Sequence, residues 1–101
     1  MRFIYNIRRK TIREKKPGSK CVDLTRAEAR FLEALLNERI NTHEEIATHV
    51  FRHRNGFWIK RYLQRELSSL KTRVKDKINI DIQSIYGKGI ILKDKVYVEC
   101  R

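Results

Sequence analysis

An α+β fold, with strands towards both ends of the chain and three helices between them, follows from three observations. Two T-x-x-E capping boxes stand at Thr25–Glu28 and Thr42–Glu45, each just ahead of apolar residues at helical spacing. A longer amphipathic stripe then runs from Trp58 to Lys75. Beyond Lys77 the apolar period changes from helical to alternating.

At the N-terminal end, Phe3, Tyr5 and Ile7 alternate with polar or smaller contributions, Lys16-Pro17-Gly18-Ser19 reads as a turn, and Val22 fits a short strand leading into the first helix. These segments predict a small antiparallel sheet. Helix one takes Thr25 as N-cap and places Phe31, Leu32, Leu35 and Leu36 on one stripe, with its end expected near 37–39. Helix two takes Thr42 as N-cap, and Ile46, Ala47, Val50 and Phe51 repeat the spacing. The basic segment 52–56, closing on Asn55-Gly56, breaks the pattern as a short loop.

Helix three gathers Ile59, Leu63, Leu67, Leu70 and Val74 within ~40° of one line, at 100° per residue. Its other side carries Arg61, Arg65, Ser68 and Thr72, flanked by Gln64 and Ser69. Ile78, Ile80 and Ile82 then alternate as a strand, and the Gly87-Lys88-Gly89 turn between apolar stretches predicts a β-hairpin. Val96, Val98 and Cys100 alternate once more as a further strand.

Length and charge narrow the function. The 101 residues match the common size of one domain, read as N-terminal strands over 1–24, helices over 25–76, and hairpin and last strand over 77–101. No apolar run approaches the ~18 residues of a membrane span, and 1–6 lack the apolar centre of a secretory signal. With only two cysteines, Cys21 and Cys100, a reducing cytoplasm is the default compartment, and both are expected as buried thiols rather than a redox pair. The net charge is +12, from 24 basic and 12 acidic residues. It divides as +7 over 1–20, −3 over 21–51 and +8 over 52–101. Basic ends around an acidic middle suggest one polyanion-facing side, with nucleic acid the leading partner over an anionic membrane or an acidic protein.

The polar side of helix three is either a solvated back or a surface that reads bases. Arg and Gln pair with purine edges, Ser and Thr let the backbone approach, and Arg61 to Thr72 of that side hold no acid. Its place after two capped helices favours base reading.

Three helices followed by a hairpin is the plan of a winged helix–turn–helix, and the residues resemble the OmpR/PhoB-type effector domain. Leu24-Thr25-x-x-Glu28-x-x-x-Leu32-x-x-Leu35-Leu36 is similar to that family's first helix. Thr42-x-x-Glu45-Ile46-x-x-x-Val50-Phe51 is similar to its second, with Phe51 where tryptophan is usual. Leu63, Leu67, Leu70 and Val74 match the inner face of its recognition helix, and Ile85-Tyr86-Gly87-Lys88-Gly89-Ile90-Ile91-Leu92 its wing. The resemblance implies a transcription regulator on double-stranded DNA, with the third helix in the major groove and the wing on the minor groove. It assigns base reading to Gln64, Arg65, Ser68 and Ser69, with Thr72 further along, and the wing contact to Tyr86 and Lys88. Thr42 and His43 would meet a phosphate at the start of the second helix, and Lys71, Arg73 and Lys75 would add backbone contacts.

Departures from the family pattern sharpen these expectations. Ser68 and Ser69 stand where arginines are common, and Tyr86 stands where the wing has arginine, so the target site should differ. No receiver domain precedes the helices within these residues, so a phosphorylation switch is not expected. Activation and repression are both open, as are RNA polymerase or another regulator as a partner. A homodimer on DNA is expected, with the strand at Val96 to Val98 as its candidate element, and the DNA-bound protein would associate with the nucleoid.

No catalytic or cofactor motif emerges. HEEIATH over 43–49 is not the H-E-x-x-H zinc pattern, and His43, His49 and His53 read as solvated or phosphate-adjacent side chains. No nucleophile–base pair or phosphate-cradling glycine loop is found, so neither an enzyme nor a cofactor is expected. Two other classes are open. An RNA-binding winged helix would need basic patches without a base-reading stripe, since A-form RNA closes its major groove to a helix. A protein-interaction module would need an exposed apolar patch, for which Phe57, Trp58 and Tyr62 are the candidates.

Overall fold

A computed structural model describes residues 1–51 and 60–100, with the side chains of Lys60, Arg61 and Leu63 not described. The predicted turn at 52–56, Phe57, Trp58 and His53 therefore lie outside the described residues. In chain order the elements are β1 (Arg2–Asn6), β2 (Thr11–Glu14), β3 (Val22–Asp23), α1 (Arg26–Ala34), α2 (His43–Phe51), α3 (Lys60–Ile78), β4 (Ile82–Ile85), β5 (Gly89–Leu92) and β6 (Lys95–Glu99).

Among the described residues the strands form two sheets. One has the order β3-β2-β1-β6 and the other is the hairpin β4-β5. β1 and β2 pair antiparallel, with Tyr5 opposite Ile12, so the alternation read in the sequence turns Phe3, Tyr5 and Ile12 into the core. The last strand, expected only as a further strand, joins the N-terminal sheet, parallel to β1 from Arg2↔Lys95 to Asn6↔Glu99. The N-terminal sheet is therefore mixed rather than antiparallel throughout.

Helix α1 starts at its capping box. Thr25 Oγ1 accepts from the Glu28 amide at 3.2 Å, and the Glu28 carboxylate accepts from the Thr25 amide at 2.8 Å. It ends at Ala34, earlier than expected, because the next turn tightens to three-residue bonds from the Leu35 and Leu36 amides to Leu32 and Glu33. α2 opens with the second box, Thr42 and Glu45, at 3.2 and 3.3 Å. α3 runs further than the sequence suggested. Ile78, expected as a strand residue, is its last helical residue, and Asn79 closes it at φ 52° with its amide bonded to the Lys75 carbonyl. Asparagine tolerates that left-handed position, which is what stops the helix there.

One core joins these layers. Phe3, Tyr5 and Ile12 of the sheet meet Phe31, Leu32 and Leu35 of α1, Ile46 and Val50 of α2, and Leu67, Leu70 and Val74 of α3, with Ile80, Ile82, Ile90 and Leu92 at the hairpin end. An ion pair between a buried carboxylate and a surface lysine closes it at one end. Lys77 Nζ lies 2.6 Å from Glu28 Oε1 and also donates to the Asp23 carbonyl, tying the end of α3 to the start of α1.

Cys21 and Cys100 are both exposed, which corrects the expectation of buried thiols. They flank β3 and β6, at opposite edges of the four-stranded sheet. Three strand spacings of ~4.8 Å separate those edges, far beyond disulfide reach.

Candidate nucleic-acid interface

Helix α3 divides cleanly between core and solvent. Leu67, Leu70 and Val74 are buried, whereas Gln64, Arg65, Ser68, Ser69 and Thr72 are exposed. That division follows from the 3.6-residue period alone, since the aliphatic side chains described are on one side, while Tyr62 is exposed. The side chain of Arg61 lies outside the described residues. The Thr72 hydroxyl donates to the Ser68 carbonyl at 3.0 Å, which leaves its oxygen turned outward as an acceptor. Because the helix continues past Lys75, the outward side also includes exposed Asp76, at ~220° from Leu63. The acid-free stretch therefore ends one turn after Thr72.

Of the expected backbone-contact residues on α3, Lys71 and Lys75 lie along the seam with the hairpin, and Arg73 lies on the other flank of the helix. Lys71 Nζ donates to Ser84 Oγ of β4 at 2.9 Å, and Lys75 Nζ to the Ile82 carbonyl at 3.4 Å. Arg73 reaches back to Ser69 Oγ at 3.4 Å. At the hairpin tip Tyr86 is fully exposed, and Gly87, at φ 73°, makes the turn that presents Lys88.

What sequence reasoning missed is the residue that fixes the hairpin in place. Asn41, immediately before α2, is buried, and its backbone exchanges two 2.9 Å hydrogen bonds with Ile90 of β5. Its side chain is locked in turn by Asn37, at 2.8 and 3.0 Å, and by the Arg39 carbonyl. Gly89 permits this approach, because a Cβ there would lie 1.9 Å from the Asn41 carbonyl oxygen. Asn41 had only its turn-forming chemistry to announce it in the sequence.

The consequence is convergence. The start of α2, the first described turn of α3 and the hairpin tip line one cleft, formed by Thr42, His43, Glu44, Gln64, Gly87 and Lys88. The expected contacts at Thr42, His43, Gln64 and Lys88 thus meet at one place. The α2 N-terminus is less open than expected, because the capping box already occupies the Thr42 and Glu45 amides. The amides of His43 and Glu44, at the first two helical positions, have no intrahelical partner by geometry. Glu44 and Glu45 add negative charge beside them. Among the described residues no group of three His, Cys, Asp or Glu side chains comes together to hold a metal ion. No helix among them is long and apolar enough to cross a membrane.

No protein-family model matches the sequence, and no curated protein matches it either. Solved structures do match the fold. The DNA-binding domain of the response regulator AdeR, solved in complex with an intercistronic region, superposes with a TM-score of 0.60 at 15% identity, over 84% of this chain and 87% of that one. The DNA-binding domain of E. coli CadC gives a TM-score of 0.62 at 13% identity, over 87% and 82% of the two chains. The fold is that of an OmpR/PhoB-type winged helix. A third match, from a family of streptococcal redox sensors evolved from two-component response regulators, has a TM-score of 0.68 at 16% identity. It covers 89% of this chain but only 38% of that larger protein. In winged-helix terms α3 occupies the third-helix position and β4–β5 is the wing.

Proposed function

We propose that this winged helix binds double-stranded DNA sequence-specifically and regulates transcription, with α3 in the major groove and the wing on the adjacent minor groove. The observation that carries this reading is the cleft where the α2 N-terminus, Gln64 and the wing tip converge beside an exposed polar helix face. The intercistronic complex of the AdeR domain, which has the same fold, supports it. Arg65 and Gln64 offer paired hydrogen bonds to purine edges, Ser68, Ser69 and Thr72 allow close approach, and Arg61 extends the set by sequence position. Lys71, Arg73, Lys75 and Lys88 engage phosphates, Thr42 and His43 present helix-start amides to another, and Tyr86 packs against a sugar. Lysine and arginine thus supply affinity through counterion release, and the helix face supplies selectivity.

Selection from a random double-stranded pool at physiological salt, run with the wild type and Arg65→Ala, tests this. The wild type is expected to enrich one motif, and the variant to blur one position of it at a cost of about 1–3 kcal/mol. Lys75→Ala is expected to weaken all duplexes alike and to lower the salt slope by about one. Absence of any enriched motif, with both proteins still retained on the pool at low salt, overturns sequence-specific reading and leaves a charge-driven binder whose ligand should be sought among RNAs.

A further inference from the structure

The N-terminal charge lies on a face that the proposed DNA site does not use. Phe3, Tyr5 and Ile12 point from the four-stranded sheet into the core, so the alternate residues point outward. Strand register sets Arg2 between Lys95 on β6 and Lys15, whose amide bonds to the Arg2 carbonyl at 2.8 Å. The next outward row is Arg13, Ile4 and Tyr97. The contacts agree with this placement, since Lys15 Nζ lies 4.3 Å and Lys95 Nζ 5.8 Å from the Tyr97 ring centre.

Four cations therefore occupy two adjoining rows, ~10 Å across three strands and ~7 Å along them. At that spacing they lie within a Debye length of one another, so their potentials add. Like charges in neighbouring register positions disfavour folding, which makes this row costly unless a ligand uses it. The nearby acids neutralise it only in part. Glu14 is taken by Lys16, Glu99 and Asp23 sit at the far end of the face, and Glu38 pairs with Lys95 at 4.0 Å, while among the described residues Arg2, Arg13 and Lys15 form no ion pair.

We propose that the outer face of this sheet is a second nucleic-acid-binding surface, gripping the phosphate backbone of a duplex segment other than the one beneath α3. The identity of the polyanion rests on the DNA-binding reading above. The exposed positions of its first row, Arg2, Lys15 and Lys95, are all cationic, with Ile4 half-buried and one side of Tyr97 already covered by an ammonium. A protein partner needs apolar anchors in a desolvated pocket, and a membrane needs apolar groups to insert; a phosphate backbone needs only the charges. α3 and the sheet each turn a buried face onto one core, so their outward faces point away from it and address different segments of nucleic acid. A molecule of this kind bridges duplexes.

The test uses a bead-held duplex, the full chain and a second, labelled duplex in about 50 mM salt. Wild-type protein is expected to capture the label, and a variant carrying Arg2→Gln, Lys15→Gln and Lys95→Gln to lose capture by about tenfold or more while still binding the bead-held duplex. The same variant should melt no lower than the wild type, which separates lost binding from lost fold. Acetylation read by mass spectrometry should show Lys15 and Lys95 protected only once the second duplex is present. Capture unchanged by the triple substitution, or capture with Lys15 and Lys95 still reactive, overturns the proposal. Capture abolished by poly-glutamate at a charge concentration where competitor duplex leaves it intact also overturns it, and marks an acidic polypeptide as the occupant. A chain that binds the first duplex and captures no second one removes only the sheet proposal; a chain that binds no duplex removes the DNA-binding reading as well.

Discussion

Glu28 shows how one side chain serves two ends of the molecule. It is buried, yet its carboxylate accepts from the Thr25 amide that opens α1 and from the Lys77 ammonium near the end of α3. Burial pushes its pKa up, but the Lys77 and Thr25 hydrogen bonds outweigh that, and the carboxyl is held below its usual range. Glu28→Ala is therefore expected to cost about 2 kcal/mol in urea unfolding, through the lost cap and the lost hydrogen bond from the Lys77 ammonium. Glu28→Gln, which still accepts from Thr25, should cost less. The capping half of this arrangement was legible, because Thr25 and Glu28 stand three residues apart. The other half was not: Lys77 is 49 positions away, and nothing local marks the pairing. On the α3 face the exposed residues were legible for the opposite reason, since helical period alone decides which side Gln64, Arg65 and Ser68 take.

Boundaries and tertiary ties decide the element scale. Ile78 satisfies two periods at once, lying four residues after Val74 and two before Ile80, so spacing left its assignment open and the strand reading failed. Asn79 settles it by accepting φ 52°. Asn79→Gly is expected to hold stability or raise it slightly, whereas Asn79→Ala should cost about 1 kcal/mol, both read from denaturant midpoints. The wing was visible from its two glycines, but its anchor was not. Gly89 sits at φ 147° against the Asn41 backbone, where an added Cβ meets a carbonyl oxygen and carbon rather than a yielding side chain. Gly89→Ala should therefore destabilise the fold by more than about 3 kcal/mol, or detach the wing so that amide exchange at Ile90 and Asn41 accelerates together. Gly87, with open space around it, has only its positive φ to lose, so Gly87→Ala should cost about 1 kcal/mol.

For the whole molecule, the charge pattern was legible in amount but not in direction. The excess over 1–20 and the excess over 52–101 suggest a single basic side, yet the first is carried by β1, β2 and the turns that join and follow them, and the second in part by α3 and the wing. Sequence distance carries no information about which way a strand's outer face turns relative to a helix. The β1–β6 pairing escaped for a related reason, because parallel pairing across most of the chain leaves no turn between its partners. Acid sensitivity also belongs at this scale. Glu33 joins Tyr5, Lys10 and His49 across sheet, α1 and α2. Burial raises its pKa, but hydrogen bonds from Tyr5 and Lys10 win and lower it, as happens at Glu28. Both carboxyls therefore add stability that is fully present above the ordinary carboxylate range and is lost as pH falls through their lowered folded values. Urea midpoints should stay level from pH 7 to about 5 and fall steeply below about 4, and the Glu28→Gln variant should fall less.

The parallel pairing of the first strand with the last also sets a timetable for synthesis. Phe3 is made 93 residues before its register partner Val96. At roughly 5–20 residues per second, β1 waits on the order of ten seconds with one edge open. Until then it is a strand with one unpaired edge and apolar side chains, the kind of segment that recruits holdases or neighbouring nascent chains. Slow decoding ahead of Lys95 lengthens that wait, so synonymous changes late in the message act on the folding yield of the first six residues.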